Sequence, residues 1–99
     1  MAKSGSKDVR EAAESVAIQA LSYIAQDPER LGRFLALTGI GPAEIRSAAS
    51  EPGFLIGVLE YLASDEALLT GFAADNGHKP QTVDAARLAL GGGWERDIP

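Results

Sequence analysis

Polar residues recur every three or four positions at Glu11, Ser15, Gln19, Ser22 and Gln26, while Val16, Ala17, Ala20, Leu21 and Ile24 fill the places between them. That spacing is the mark of an amphipathic helix and predicts one from Asp8 to Gln26. It ends at Asp27-Pro28, because Asp is a good N-cap and Pro is tolerated at the first helical position, where no N–H is needed. A second helix follows from Pro28 to Thr38 with Leu31, Phe34 and Leu35 turned inward. Gly39 suits the left-handed residue just past a helix, and Pro42 opens a short helix carrying Ile45, Ala48 and Ala49. Helices are expected again from Pro52 to Ala63, from Asp65 to about Asn76 and from Pro80 to about Leu90. No stretch alternates as a strand does, so the fold class is all-α, a compact bundle of about six short helices. Within it, PGFLIGVLEYLAS (Pro52 to Ser64) is apolar nearly all round and is the expected central element, with Phe54, Ile56, Leu59 and Leu62 in the core. Gly53 and Gly57, four apart, would let a neighbouring helix approach closely.

Laying the chain over itself with a shift of 38 positions aligns segments 16–49 and 54–87. IQALSYIAQD falls on IGVLEYLASD, and DPERLGRFLALTGIGP falls on DEALLTGFAADNGHKP. The identities are Ile18/Ile56, Leu21/Leu59, Tyr23/Tyr61, Ala25/Ala63, Asp27/Asp65, Leu31/Leu69, Phe34/Phe72, Ala36/Ala74, Gly39/Gly77, Pro42/Pro80 and Ala48/Ala86. Caps and core positions are what a duplicated unit has to keep, so the six helices read as two related three-helix units. Two copies are too few for an open solenoid, and they are expected to pack on each other. Flanking this domain, residues 8–92, are an N-terminus of seven residues expected to be flexible and a tail from Gly93 to Pro99.

Composition narrows the function. Ninety-nine residues make one domain with a modest core. The absence of cysteine removes disulfides, thiolate nucleophiles and cysteine metal sites, and points to a reducing cytoplasm. Lys3 and Lys7 are followed by Asp8, Glu11 and Glu14 rather than an apolar run, so the start does not read as a signal peptide. No apolar run approaches the roughly 18 to 20 residues of a membrane span. A formal charge of −5 repels nucleic acid at long range, so any phosphate contact has to come from a local patch.

One such patch presents itself. TGIGPAEIR, Thr38 to Arg46, is similar to the hairpin of the helix-hairpin-helix family, in which backbone N–H groups of a GIG-type turn hold a phosphate. Gly39, Ile40, Gly41 and Arg46 would be the contact turn, with Arg30 and Arg33 beside it. Against this, the second copy keeps Gly77 and Pro80 but has His78 and Lys79 in place of Ile40 and Gly41, so only the turn is duplicated. Arg30, Arg33 and Leu37 share a face of the second helix, and Leu37 aligns with Asp75, which places Leu37 outward in an exposed leucine framed by arginines. Such a composition fits a partner surface. His78, the one histidine, reads as an exposed turn residue, since it lacks the companions that a metal or a general base needs. LGGGW follows a helix, unlike a phosphate loop, and reads as a helix stop leading to Trp94, an anchor for the domain itself or for a partner. Tyr23 and Tyr61 are expected at the boundary of the core, and the carboxylates serve capping and solvation without a catalytic spacing.

ALSYIAQDPERLGRFLALTGIGP (Ala20 to Pro42) and FLIGVLEYLASDEALL (Phe54 to Leu69) resemble an uncharacterised family of small helical alphaproteobacterial proteins, a domain of unknown function. The likeness runs from about Glu14 to Gly92. It implies a bacterial cytoplasmic protein of compact helical fold and brings no activity, cofactor or functional residue with it. The leading expectation is therefore a non-enzymatic helical interaction or adaptor domain with a protein partner and no cofactor. Weak nucleic-acid binding through the GIGP turn comes second, and an enzyme whose site residues are scattered in sequence third.

Overall fold

Local chemistry sets nearly every helix boundary. The computed structural model describes the backbone of residues 2–91 and the side chains of residues 9–91. It contains α1 (Ala2–Ala25), α2 (Pro28–Thr38), a 3-10 turn (Pro42–Glu44) running into α3 (Ile45–Ala48), α4 (Pro52–Ala63), α5 (Glu66–Asn76) and α6 (Pro80–Ala89). Strands do not occur among the described residues, and the fold is all-α. Asp27 Oδ1 accepts the Glu29 N–H and Asp65 Oδ1 accepts the Leu68 N–H, each at 3.1 Å, satisfying amides that the first turn leaves free. Prolines open α2, α4 and α6. Gly39 and Gly77 end α2 and α5 at φ 74° and 69°, where a side chain would be strained. Two of the expected helix bounds are corrected. The first helix begins at Ala2, ahead of Asp8, because the polar segment before it contains no proline to stop it. The short helix from Pro42 is split into a 3-10 turn and a single α-turn.

The core forms where α1, α4 and α6 pack on one another, with α2 laid against α1 and α5 against α4. Ala17, Ala20 and Ile24 of α1 are fully buried, and Glu11, Ser15, Gln19, Ser22 and Gln26 are all exposed, as their spacing requires. On α4 the buried residues are Leu55, Val58, Leu59 and Leu62, a strict helical stripe. Phe54 and Ile56, expected in the core, are only half-buried at its edge, as are Leu31 and Leu35 on α2. A domain of this size has too little mass to cover a helix on every side. Nor do Gly53 and Gly57 seat a neighbour: no atom of another element lies within 4 Å of the place a methyl would take on either.

The aromatic rings pair in a reciprocal manner. Tyr23 packs edge-on to Phe72, centroids 5.8 Å apart at 67°, and Tyr61 packs edge-on to Phe34, 5.2 Å apart at 61°. Tyr23 and Tyr61 are 38 positions apart, and so are Phe34 and Phe72. Each half of the chain thus sends its tyrosine onto the other half's phenylalanine, the contact pattern of a two-fold interface drawn within one chain. Edge-to-face pairs of this kind contribute about 0.5–1.5 kcal/mol each beyond burial. The correspondence is looser elsewhere. Ile18, Ala25, Ala36, Ala63 and Ala74 are exposed, so those identities fall outside the caps and core. The first half's third helix, α3, is far shorter than its counterpart α6, which packs along both α1 and α4.

Candidate functional site

The GIGP turn is where the sequence pattern places an anion. Its three amides are spoken for within the turn. Gly39 N–H donates to Leu35 O at 2.8 Å, Ile40 N–H to Thr38 Oγ1 at 3.3 Å and Gly41 N–H to Glu44 Oε1 at 3.0 Å. A carboxylate of the chain therefore occupies the place a phosphate oxygen would take, and its charge opposes a second anion. Glu44 is the residue that sequence reading missed. Its signal was available, since a Glu three residues past the residue that precedes Pro42 has capping-box spacing. Arg46 is exposed one turn further on.

The three residues expected on one face of α2 have different fates. Arg30 is half-buried and turned back: its Nη2 donates to the Tyr23 carbonyl at 3.0 Å, and its guanidinium lies 4.5 Å from the Tyr23 ring centroid. Asp27 adds a weak ion pair at 3.8 Å. These contacts make Arg30 a staple between the end of α1 and the start of α2, and the frame of two arginines around the leucine reduces to Arg33. Arg33 and Leu37, adjacent on the helix surface at i and i+4, are both exposed, Leu37 at 70 %. Gly32 and Ala36 lie beside them, also exposed, and leave the ground between α2 and solvent nearly flat.

His78 is not the free turn residue its sequence context suggested. It is half-buried, its ring 5.7 Å from that of Phe72, and its Nε2 lies 2.7 Å from Gln19 Oε1, where the imidazole N–H donates to the amide oxygen. The bond ties the α5–α6 turn to α1 across 59 residues of sequence, which no local pattern foretells. Next to Phe72 on α5, Gly71 lies directly under the Tyr23 hydroxyl. Among the described residues no group of three or more His, Asp or Glu is arranged to hold a metal ion, and no polar or charged residue is fully buried. A cleft of about 210 Å³ opens between α1 and α6, walled by alanine and valine with Thr82 as its one polar side chain. Trp94 lies outside the described residues.

The family model for a protein of unknown function, DUF3572, matches residues 10–93 and so takes in α1 from Arg10 onward, α2 to α6 and both halves of the internal alignment. The chain belongs to the DUF3572 family. No curated protein and no solved structure matches it. The DUF3572 match begins before Glu14, earlier than the resemblance suggested, and includes Val9's neighbour Arg10 on α1. In this DUF3572 chain no described helix is long and apolar enough to cross a membrane.

Proposed function

We propose that this DUF3572 chain is a non-enzymatic interaction domain whose docking face is the outer side of α2, centred on Leu37 and Arg33. The observation that carries the reading is the exposure of Leu37 at 70 %, above that of Val9, Ile18 and Leu88, the other exposed large apolar residues among those described. A leucine held in water on a fixed helix is available apolar area at no ordering cost. The fixing is specific: Asp27 caps one end of α2, Gly39 closes the other, and Arg30 pins its first turn to Tyr23. Arg33 makes no ion pair among the described residues, which leaves its planar fork free for a carboxylate. The partner that fits is a helix with an apolar stripe across Gly32 and Ala36 and an acidic residue opposite Arg33. A bacterial cytoplasmic setting belongs to the same proposal and is supported by the cysteine-free composition.

A photo-crosslinking residue at position 37, with one at exposed Ala63 as control, tests the reading in cells of the source organism. One crosslinked protein obtained from position 37 alone, and lost on Arg33→Glu, is the expected result. Equal products from both positions, or a partner indifferent to Arg33→Glu, would refute it. The phosphate reading of the turn receives no support from a hairpin whose amides are already bonded to Leu35, Thr38 and Glu44.

A further inference from the structure

We propose that the cleft between α1 and α6 is the contact face of a symmetric homodimer, in which Leu88 of each copy enters the cleft of the other. Hole and knob stand side by side on one face. The hole is the cleft of about 210 Å³, with Val9 and Val16 on the α1 side and Ala85 and Ala89 on the α6 side. An apolar cavity of about 150 Å³ takes up benzene, so the four-carbon side chain of a leucine has room here. The knob is Leu88, an exposed large apolar residue one turn along α6 from Ala85. Leu88 does not line the cleft of its own chain, because α6 carries it outward. A knob beside a hole is a self-complementary surface, and a two-fold axis seats both knobs at once and leaves no open end.

Charge complementarity sets the register. Asp84 and Arg87 pair within α6, Arg87 Nη2 lying 2.7 Å from Asp84 Oδ1. When two α6 helices lie antiparallel about a two-fold axis, bringing Asp84 level with the partner's Arg87 puts the axis between Ala85 and Ala86. The two intrachain pairs then join into a ring of four alternating charges, and neither has to break. The same register brings the partner's Leu88 level with Val83, which falls within the span of the cleft from Thr82 to Ala89. An axis at Asp84 or at Arg87 would instead set like charges against each other. The charged and apolar positions of α6 thus select one arrangement. It also covers Ala12 and Ala85, which are exposed at the cleft. The formal charge of −5 on each copy opposes association, so the dimer is a reversible one that forms with rising concentration.

Sedimentation equilibrium of the full chain from micromolar to millimolar concentration tests this, with circular dichroism to show that each variant is folded. The wild type should move reversibly from the mass of one chain toward twice that mass. Leu88→Ala removes both knobs and should raise the dimer Kd roughly 100-fold, about tenfold for each leucine. Asp84→Arg should weaken the dimer at least about tenfold, and adding Arg87→Asp to it should restore the wild-type Kd, because the ring of charges is rebuilt with its signs exchanged. In a mixture of isotope-labelled and unlabelled copies, the Leu88 methyl groups of one should give nuclear Overhauser contacts to the Val16 methyl groups of the other. A chain that stays monomeric at millimolar concentration overturns the proposal, and so does a dimer indifferent to Leu88→Ala. A dimer that Leu37→Asp dissolves and Leu88→Ala leaves intact would place the contact on α2 and overturns it as well.

Discussion

Replacing Gly71 by Ala puts two known effects in opposition, and the structure decides the sign. Gly in a helix interior is less favourable than Ala by about 0.8–1.0 kcal/mol, so on propensity alone the change stabilises. A methyl at position 71, however, falls well inside van der Waals contact with the Tyr23 hydroxyl and 3.4 Å from Cζ. Tyr23 cannot swing aside freely. Phe72 meets its edge, and the Arg30 guanidinium sits 4.5 Å over its ring while bonding its carbonyl. Forcing an extra methyl into such a contact costs about 1–3 kcal/mol. The expected net is a loss of about 1 kcal/mol, or roughly 4–8 °C in Tm for a domain of this size. Gly32→Ala is the matched control: it is a helix-interior glycine with nothing within 4 Å of an added methyl, so it should stabilise by about 0.5–1 kcal/mol. The decisive variant is the double change Gly71→Ala with Tyr23→Phe, which deletes the clashing oxygen and should recover most of the loss. Urea unfolding of the four proteins with a common slope measures all of this. If Gly71→Ala alone stabilises as Gly32→Ala does, the packing of Tyr23 on α5 is not as described and the argument fails.

Three further outcomes follow from the site geometry. Leu37→Asp should change stability by no more than about 0.5 kcal/mol, as exposed substitutions do; a loss of the 2–5 kcal/mol typical of a core leucine, seen in the same urea titration, would bury it. Glu44→Ala should release the Gly41 amide, so that sulfate shifts that amide's NMR resonance in the variant and not in the wild type; equal shifts in both would mean that Glu44 does not guard the turn. His78→Ala and Gln19→Ala should each cost about 0.5–1.5 kcal/mol and couple in a double-mutant cycle, as partners in one hydrogen bond do; strict additivity would show that the pair contributes nothing jointly.

What the sequence made legible was the chemistry that acts within a few residues. Asp27, Asp65, Gly39, Gly77 and the opening prolines work through their own backbone neighbours, and each stands where its pattern said. The buried stripe of α1 followed from spacing for the same reason. Phe54 and Ile56 were misplaced because an apolar run states what can be buried, while the amount of neighbouring mass decides what is. Arg30 and His78 were misread because their partners, the Tyr23 carbonyl on the preceding helix and Gln19 at the far end of the chain, become neighbours only through the fold. The surface at Leu37 lies between these cases. Its outward position came from comparing the two halves, but the loss of Arg30 from it needed the third dimension.

The crossed tyrosine and phenylalanine contacts also bear on how the domain comes apart. Severed between Ser50 and Glu51, the chain would yield two pieces that each carry a tyrosine without its phenylalanine and a phenylalanine without its tyrosine. Neither piece carries both rings of either pair, and each holds what the other lacks. Both crossed contacts thus lie in the seam and neither within one side, so the two sides are expected to unfold together.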